Sequence, residues 1–336
     1  MNEGAIVMSD VTPEPIMKVA VGFMAAKHLF IANEIGMFEK LSKGSLTLEA
    51  LAERMVVPSR TTRIVADAMV SFGLLQRQGD HYHNTEVATV FLSGAAGPGL
   101  RPFLRLLNCL SYLRWARIEE AIRTDAMIFE AGFSEAEQQL YSEGVEAVTA
   151  GTANALAGNY DFGRHQRVLD LGGGTGSFLL AILSRFDKIC ATLYDLPAVT
   201  SDTRRRLAQT SYESRIEIVE GDFFNDPIPQ GHDAIIVANI IHCFPANCVL
   251  ELLHRLRNAA SVATRLLLVD FWTNVAHTEP VFSALMAGEF LLTPGRGDVY
   301  SIDDAASWFG QTGWQMVEHK ALAGPASLIV AEAATL

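Results

Sequence analysis

The chain has 336 residues, 49% of them hydrophobic and 19% charged, which exceeds one typical domain in length and excludes intrinsic disorder. Its net charge of −12 opposes phosphate backbones and argues against nucleic acid as the main partner. No apolar run reads as a membrane span, the opening MNEGAIVMSDVTPEP has neither a basic nor an apolar leader region, and the four cysteines form no CxxC pair; the expectation is a cytoplasmic protein with reduced thiols and no membrane partner.

In chain order, residues 14–42 place Met17, Val21, Met24, His28, Leu29, Ala32, Ile35 and Phe38 at helical spacing, which predicts an amphipathic helix pair. Thr47 is then positioned to cap a helix, and Pro58 starts a second one after a tight turn. Gly73 stops that helix, and a Gly79-Asp80 turn between two short segments completes a winged helix. Arg60 and Arg63 lie on the second helix with few basic residues around them, so the unit reads as a dimerisation module rather than a DNA reader. The chain is therefore divided into a winged-helix domain at 1–98, a helical bridge at 99–163 and an α/β domain at 164–336. In the last, the apolar runs near 168, 191, 216, 234, 265 and 327 alternate with helical stretches, the pattern of a doubly wound, Rossmann-like parallel sheet.

The motif VLDLGGGTG at 168–176 carries an apolar strand into a glycine-rich turn and on into a helix, where bare backbone and unpaired N–H groups can meet a ligand. The spacing is GxGxG and lacks the GxGxxG of dinucleotide binders, which disfavours NAD. About 20 residues on, YDLP at 194–197 ends the next strand with Asp195, where a carboxylate can accept two ribose hydroxyls. After the third strand, GDFF at 221–224 offers Asp222 for an adenine amino group and Phe223 for its ring. Three strand ends thus converge on one nucleoside.

On these motifs, the winged-helix start and the closing Gly313-Trp314 segment with its final strand, nearly the whole chain resembles the class I S-adenosylmethionine (SAM) dependent methyltransferases, specifically the dimeric small-molecule O-methyltransferases that include caffeate and hydroxyindole methyltransferases. The resemblance implies a homodimer with SAM as cofactor and a small-molecule acceptor. It implies Asp170, Gly172 and Gly174 at the methionine end, Asp195 and Leu196 at the ribose, Asp222 and Phe223 at the adenine, and Asn239 beside them after the fourth strand. It also makes His242 the general base.

The pattern departs from the family at the reacting end, where His-Asp-Trp is replaced by His242-Cys243-Phe244. The acids that orient the family's histidine fall, without gaps, on Ala287 and Val299, with Glu289 and Asp298 close by; these two are the expected substitutes in the catalytic set. The alternatives are C- or N-methylation, metal-assisted on an α-keto acid, or a SAM-binding enzyme that no longer transfers methyl. No HxxxH or CxxC spacing supports a metal. Phe282, Met286 and Phe290, at i, i+4 and i+8, define one helix face. With Phe103, Leu107, Tyr112, Trp115 and Tyr141 they suggest an aromatic or lipophilic acceptor.

Overall fold

The computed structural model describes residues 11–95, 99–126, 128, 133–293 and 296–334. The first ten residues, on which the leaderless start was read, and the expected boundary at residue 98 lie outside them. The chain divides into two compact units, Met1–Cys109 and Leu110–Leu336, so the helices of the expected bridge from Leu110 onward group with the second.

The first unit comprises α1 (Glu14–Ala20), α2 (Gly22–Glu34), α3 (Met37–Lys40), β1 (Leu46–Thr47), α4 (Leu48–Met55), α5 (Ser59–Ser71), β2 (Leu75–Gln78), β3 (His81–Asn84), α6 (Glu86–Phe91) and α7 (Arg101–Leu106). Thr47 caps α4 as its sequence position predicts, accepting from the Ala50 N–H at 3.2 Å. Strands β2 and β3 form the antiparallel wing, and β1 pairs along β3. Arg63 and Arg77 both pair with Asp67, which also accepts the Tyr82 hydroxyl at 2.7 Å. The stripe expected of α1 and α2 is only partly a core stripe: Ala32 and Phe38 are buried, whereas Met17, Val21 and Met24 are 54%, 42% and 51% exposed. An 18-residue window within Glu14–Glu34 has a mean hydropathy of 1.4, and the segment is long and apolar enough to cross a membrane by length and composition alone. That corrects the reading that no run is so long; the charges at its two ends and Lys18 and Lys27 within it hide its length from a search for uninterrupted apolar residues.

The second unit begins with α8 (Tyr112–Trp115), α9 (Ile118–Thr124) and the long α10 (Glu135–Asn159). Ser134 and Glu137 start α10 with a capping box. Then follow β4 (Arg167–Leu171), α11 (Ser177–Leu183), β5 (Cys190–Asp195), α12 (Pro197–Leu207), β6 (Ile216–Glu220), β7 (Ala234–Ala238), α13 (Ala246–Ala259), β8 (Arg265–Asp270), α14 (Val281–Leu291), α15 (Ile302–Thr312), β9 (Trp314–Ala321) and β10 (Ser327–Ala333). The seven-stranded sheet has the order β6-β5-β4-β7-β8-β10-β9.

The first five of those strands are parallel, and β10 pairs antiparallel with both β8 and β9. This corrects the all-parallel expectation: the short 322–326 link joins β9 to β10 as a hairpin, because a parallel crossover needs a dozen or more residues. Every residue of β7 is buried, as its continuous apolar run requires for a strand covered on both faces. Val168, Ile236 and Leu267 pack on one face with Leu156 and Leu179, and Leu169, Ile235 and Leu268 on the other with Leu252 and Phe309. Each such side chain contributes roughly 1.5–3 kcal/mol by leaving water. From β4 the chain runs outward through β5 to β6 and then returns to β7 on the other side of β4, which opens the ligand crevice at the carboxyl ends of these strands.

Candidate active site

The glycine-rich turn follows β4 directly, with Gly172, Gly174 and Gly176 at φ of 68°, 52° and 81°, a left-handed conformation that suits glycine. At Gly172 a Cβ would also sit 2.5 Å from Ile240 Cδ1, so a side chain there would strain the backbone and push the Ile240 side chain aside. Asp195, at the end of β5, closes on the turn: Oδ2 accepts from the Gly174 N–H at 2.8 Å and Oδ1 from the Leu196 N–H at 2.7 Å. Burial raises its pKa, and these two donors counter only part of the rise. Beneath the turn Asp170 is 1% exposed, with neither carboxylate oxygen hydrogen-bonded among the described residues. Burial, assisted by the charge of Asp195, pushes it up to about 7.

Leu196 is 47% exposed at the start of α12. Beyond β6, Asp222 accepts from the Phe224 N–H at 2.8 Å and the Asn225 amide at 2.7 Å, which hold its carboxyl below the usual range. The half-buried Phe223 packs edge-on to Phe244 at 5.8 Å. Asn239 follows β7 with φ of 56° and donates its N–H to Val269 O at 2.9 Å. A left-handed non-glycine residue at a strand end is a strained one, of the kind found around functional sites.

His242 lies in the short Ile241–Cys243 turn, 8% exposed. Its ring clusters with those of Phe271 and Phe290, with centroids 4.8 and 4.2 Å away and the two phenyl rings 5.8 Å from each other. Nδ1 meets Asp270 Oδ1 at 2.7 Å, and the same oxygen accepts the Phe271 N–H at 2.8 Å. Burial alone would depress the imidazole, but the Asp270 charge and hydrogen bond outweigh it, with Cys243 assisting, and carry it up to about 10. The carboxylate beside His242 is therefore Asp270, rather than Glu289 or Asp298. Glu289 Oε2 instead accepts from Trp115 Nε1 at 2.5 Å and Ser111 Oγ at 2.7 Å, and Asp298 folds back on the Val299 N–H at 2.7 Å. Asp270 lies upstream of the positions that an ungapped match to the family points to, in α14 and beyond, yet it ends an apolar strand as Asp195 does. Gly297 packs against this turn so tightly that a Cβ would fall 1.8 Å from His242 O. Among the described residues no three His, Cys, Asp or Glu side chains gather as a metal-holding group.

With that geometry in place, known families account for the architecture. An O-methyltransferase domain model matches residues 120–315, and an O-methyltransferase dimerisation domain model matches residues 17–94. The chain belongs to the O-methyltransferase family. The 3-hydroxy-5-methyl-1-naphthoate 3-O-methyltransferase of Streptomyces sahachiroi is 28% identical over 93% of this chain and 92% of its own. The tetracenomycin polyketide synthesis 8-O-methyl transferase of Streptomyces glaucescens is 27% identical over 95% and 96%. The fold is that of human N-acetylserotonin methyltransferase in complex with SAM, with a TM-score of 0.86 at 23% identity, covering 98% of this chain and 100% of that one. PigF with S-adenosylhomocysteine (SAH) superposes with a TM-score of 0.83 at 25% identity, covering 96% and 100%.

The O-methyltransferase takes SAM as its cofactor, and the residues present fit it. SAM carries a net positive charge, and the crevice presents a turn without side chains at Gly172 and Gly174 over a buried carboxyl, Asp170, that has no hydrogen-bond partner among the described residues. A bound cation would supply the partner that the fold leaves out.

Proposed function

We propose that this O-methyltransferase alkylates a phenolic hydroxyl of a small aromatic or lipophilic metabolite of secondary metabolism, with His242 as general base and Asp270 as the group that orients it. The observation that carries the reading is the buried His242–Asp270 contact at 2.7 Å, which joins the turn after β7 to the carboxyl end of β8. In support, the two Streptomyces relatives are named for O-methylation of a hydroxynaphthoate and of a tetracenomycin polyketide. Asp170, Gly172 and Gly174 take the methionine end in this reading, Asp195 and Leu196 the ribose, and Asp222, Phe223 and Asn239 the adenine.

Bound SAM supplies an electrophilic methyl group on a sulfonium sulfur. With Nδ1–H donating to Asp270, Nε2 would take the hydroxyl proton of an acceptor whose oxygen receives the methyl group. An imidazole raised to about 10 matches an ordinary phenol of pKa about 10, so the proton passes with little free-energy change. Phe271 and Phe290 fix the ring plane and keep water from it. The test is methyl transfer from labelled SAM to a set of hydroxynaphthalenes, with the product analysed by NMR. A methyl ether is expected, and His242→Ala lowers kcat by about 10²–10⁴-fold with SAH affinity unchanged; an N- or C-methyl product, or full turnover by the variant, overturns the reading.

The working form in this proposal is a homodimer built through the first unit. The match at residues 17–94 supports it, as do Ile16, Val19 and Phe23, exposed at 73%, 81% and 53%. Sedimentation at micromolar protein should give twice the chain mass, and a monomer alone would refute it.

A further inference from the structure

Helix α10 sends one carboxylate to the cofactor turn. Glu146 accepts hydrogen bonds from the Thr175 and Ser177 hydroxyls and is paired with Arg206 Nη2 at 2.7 Å. The Arg206 guanidinium also donates to Ser177 Oγ at 3.2 Å. Ser177 is 7% exposed, the Glu146 side chain 24% and the Arg206 side chain 38%, so the hydroxyl bonds are shielded while the ion pair is partly open to water. Burial alone would raise the Glu146 carboxyl, yet Arg206, Ser177 and Thr175 together hold it below the ordinary range. The network joins three elements: α10, the turn between β4 and α11, and α12, the helix that follows Asp195.

The turn needs such a brace. Its three left-handed glycines let the backbone approach a ligand, and the same freedom leaves the turn without a preferred shape of its own. From the β5 side it is held by Asp195 on the Gly174 N–H and by the Thr203 hydroxyl on Gly174 O at 2.6 Å. On the α10 side the restraint on Thr175 and Ser177 is Glu146. Methyl transfer tolerates little misplacement, since a displacement of about 1 Å from a remote change can cost 10²-fold.

We infer that Glu146 is a positioning residue for SAM: through Thr175, Ser177 and Arg206 it holds the glycine turn against the ribose-end helix and couples cofactor binding to α10. This rests on the turn being the SAM site. When cofactor fills the crevice, the ordering of the turn passes through Glu146 to α10, where Tyr141 lies on the preceding turns of the helix.

The experiment is calorimetric titration of the full-length protein with SAH, for wild type, Glu146→Gln and Glu146→Ala, alongside hydrogen exchange of peptides covering residues 135–150 with and without SAH. Asp195→Ala serves as the control for the site itself. Wild type should bind and Asp195→Ala should bind more weakly; failure there would refute the cofactor site, a different result from failure at Glu146. Glu146→Ala is expected to weaken SAH by about 10-fold and Glu146→Gln by about 3-fold, since the amide keeps an acceptor for the hydroxyls and loses the charge that faces Arg206. In both variants the SAH-induced protection of residues 135–150 is lost, a change that a merely structural brace would not produce. If Glu146→Ala does not fold, Glu146→Gln alone decides. SAH affinity within twofold of wild type together with intact protection of residues 135–150 would overturn the inference.

Discussion

Near the end of β4 both carboxylate oxygens of Asp170 are buried with no hydrogen-bond partner among the described residues, whereas at the end of β8 Asp270 Oδ1 is joined to the imidazole of His242 at 2.7 Å and to the Phe271 N–H at 2.8 Å. Both are aspartates in the last two residues of an apolar parallel strand, and both are at most 2% exposed. The difference follows from where each partner comes from. In the proposed function the cofactor brings positive charge to Asp170, which needs no internal cation and is left poised near neutrality. On the same proposal the acceptor end must hold a proton between turnovers, and there acid and base are paired in advance. One crevice thus stores binding capacity at one strand end and basicity at another.

The largest effect expected on this comparison comes from Asp270→Asn, which turns the paired end into an unpaired one. With the imidazole up to about 10, kcat/KM of wild type should climb from pH 7 to pH 9.5 as the pair gives up its proton. Without the carboxylate the profile should level off near the unperturbed value of about 6.5, and the rate at pH 9 should fall by on the order of 10- to 100-fold. A variant profile that overlays wild type would erase the distinction. The pair also bears on stability: a histidine raised in the folded state stabilises fully below about pH 6.5, and that contribution disappears as pH rises through about 10. The gap in Tm between wild type and Asp270→Asn should therefore close above pH 10.

A smaller, opposite effect is expected at Asp170. Its carboxyl is raised to about 7, so the folded protein binds more protons than the unfolded chain between about pH 4 and pH 7, and stability drops as pH rises through that window. Asp170→Asn should raise the Tm of the ligand-free protein at pH 8 while weakening SAM several-fold. Wild-type SAM affinity should also strengthen from pH 6 to pH 8 as the carboxylate ionises. A variant that is both less stable and equally tight for SAM would mean that Asp170 is a structural acid like any other.

Much of the architecture could be read locally. A strand running into GGGTG, the acids closing β5 and following β6, Thr47 ahead of its helix and Gly73 behind the next are short-range facts about backbone freedom, strand ends and caps, and the winged helix and the nucleotide-type crevice follow from them. The antiparallel β9 and β10 depended on where a short hairpin docks in the sheet, and the exposed faces of α1 and α2 on what packs against them. The pairing of His242 with Asp270, 28 residues apart, and of Glu146 with Ser177 and Arg206, 31 and 60 residues away, belongs to the tertiary structure alone. Periodicity and spacing report the conformation of neighbouring residues, whereas the partner of a side chain is set by which strand ends and helices the folded sheet brings side by side.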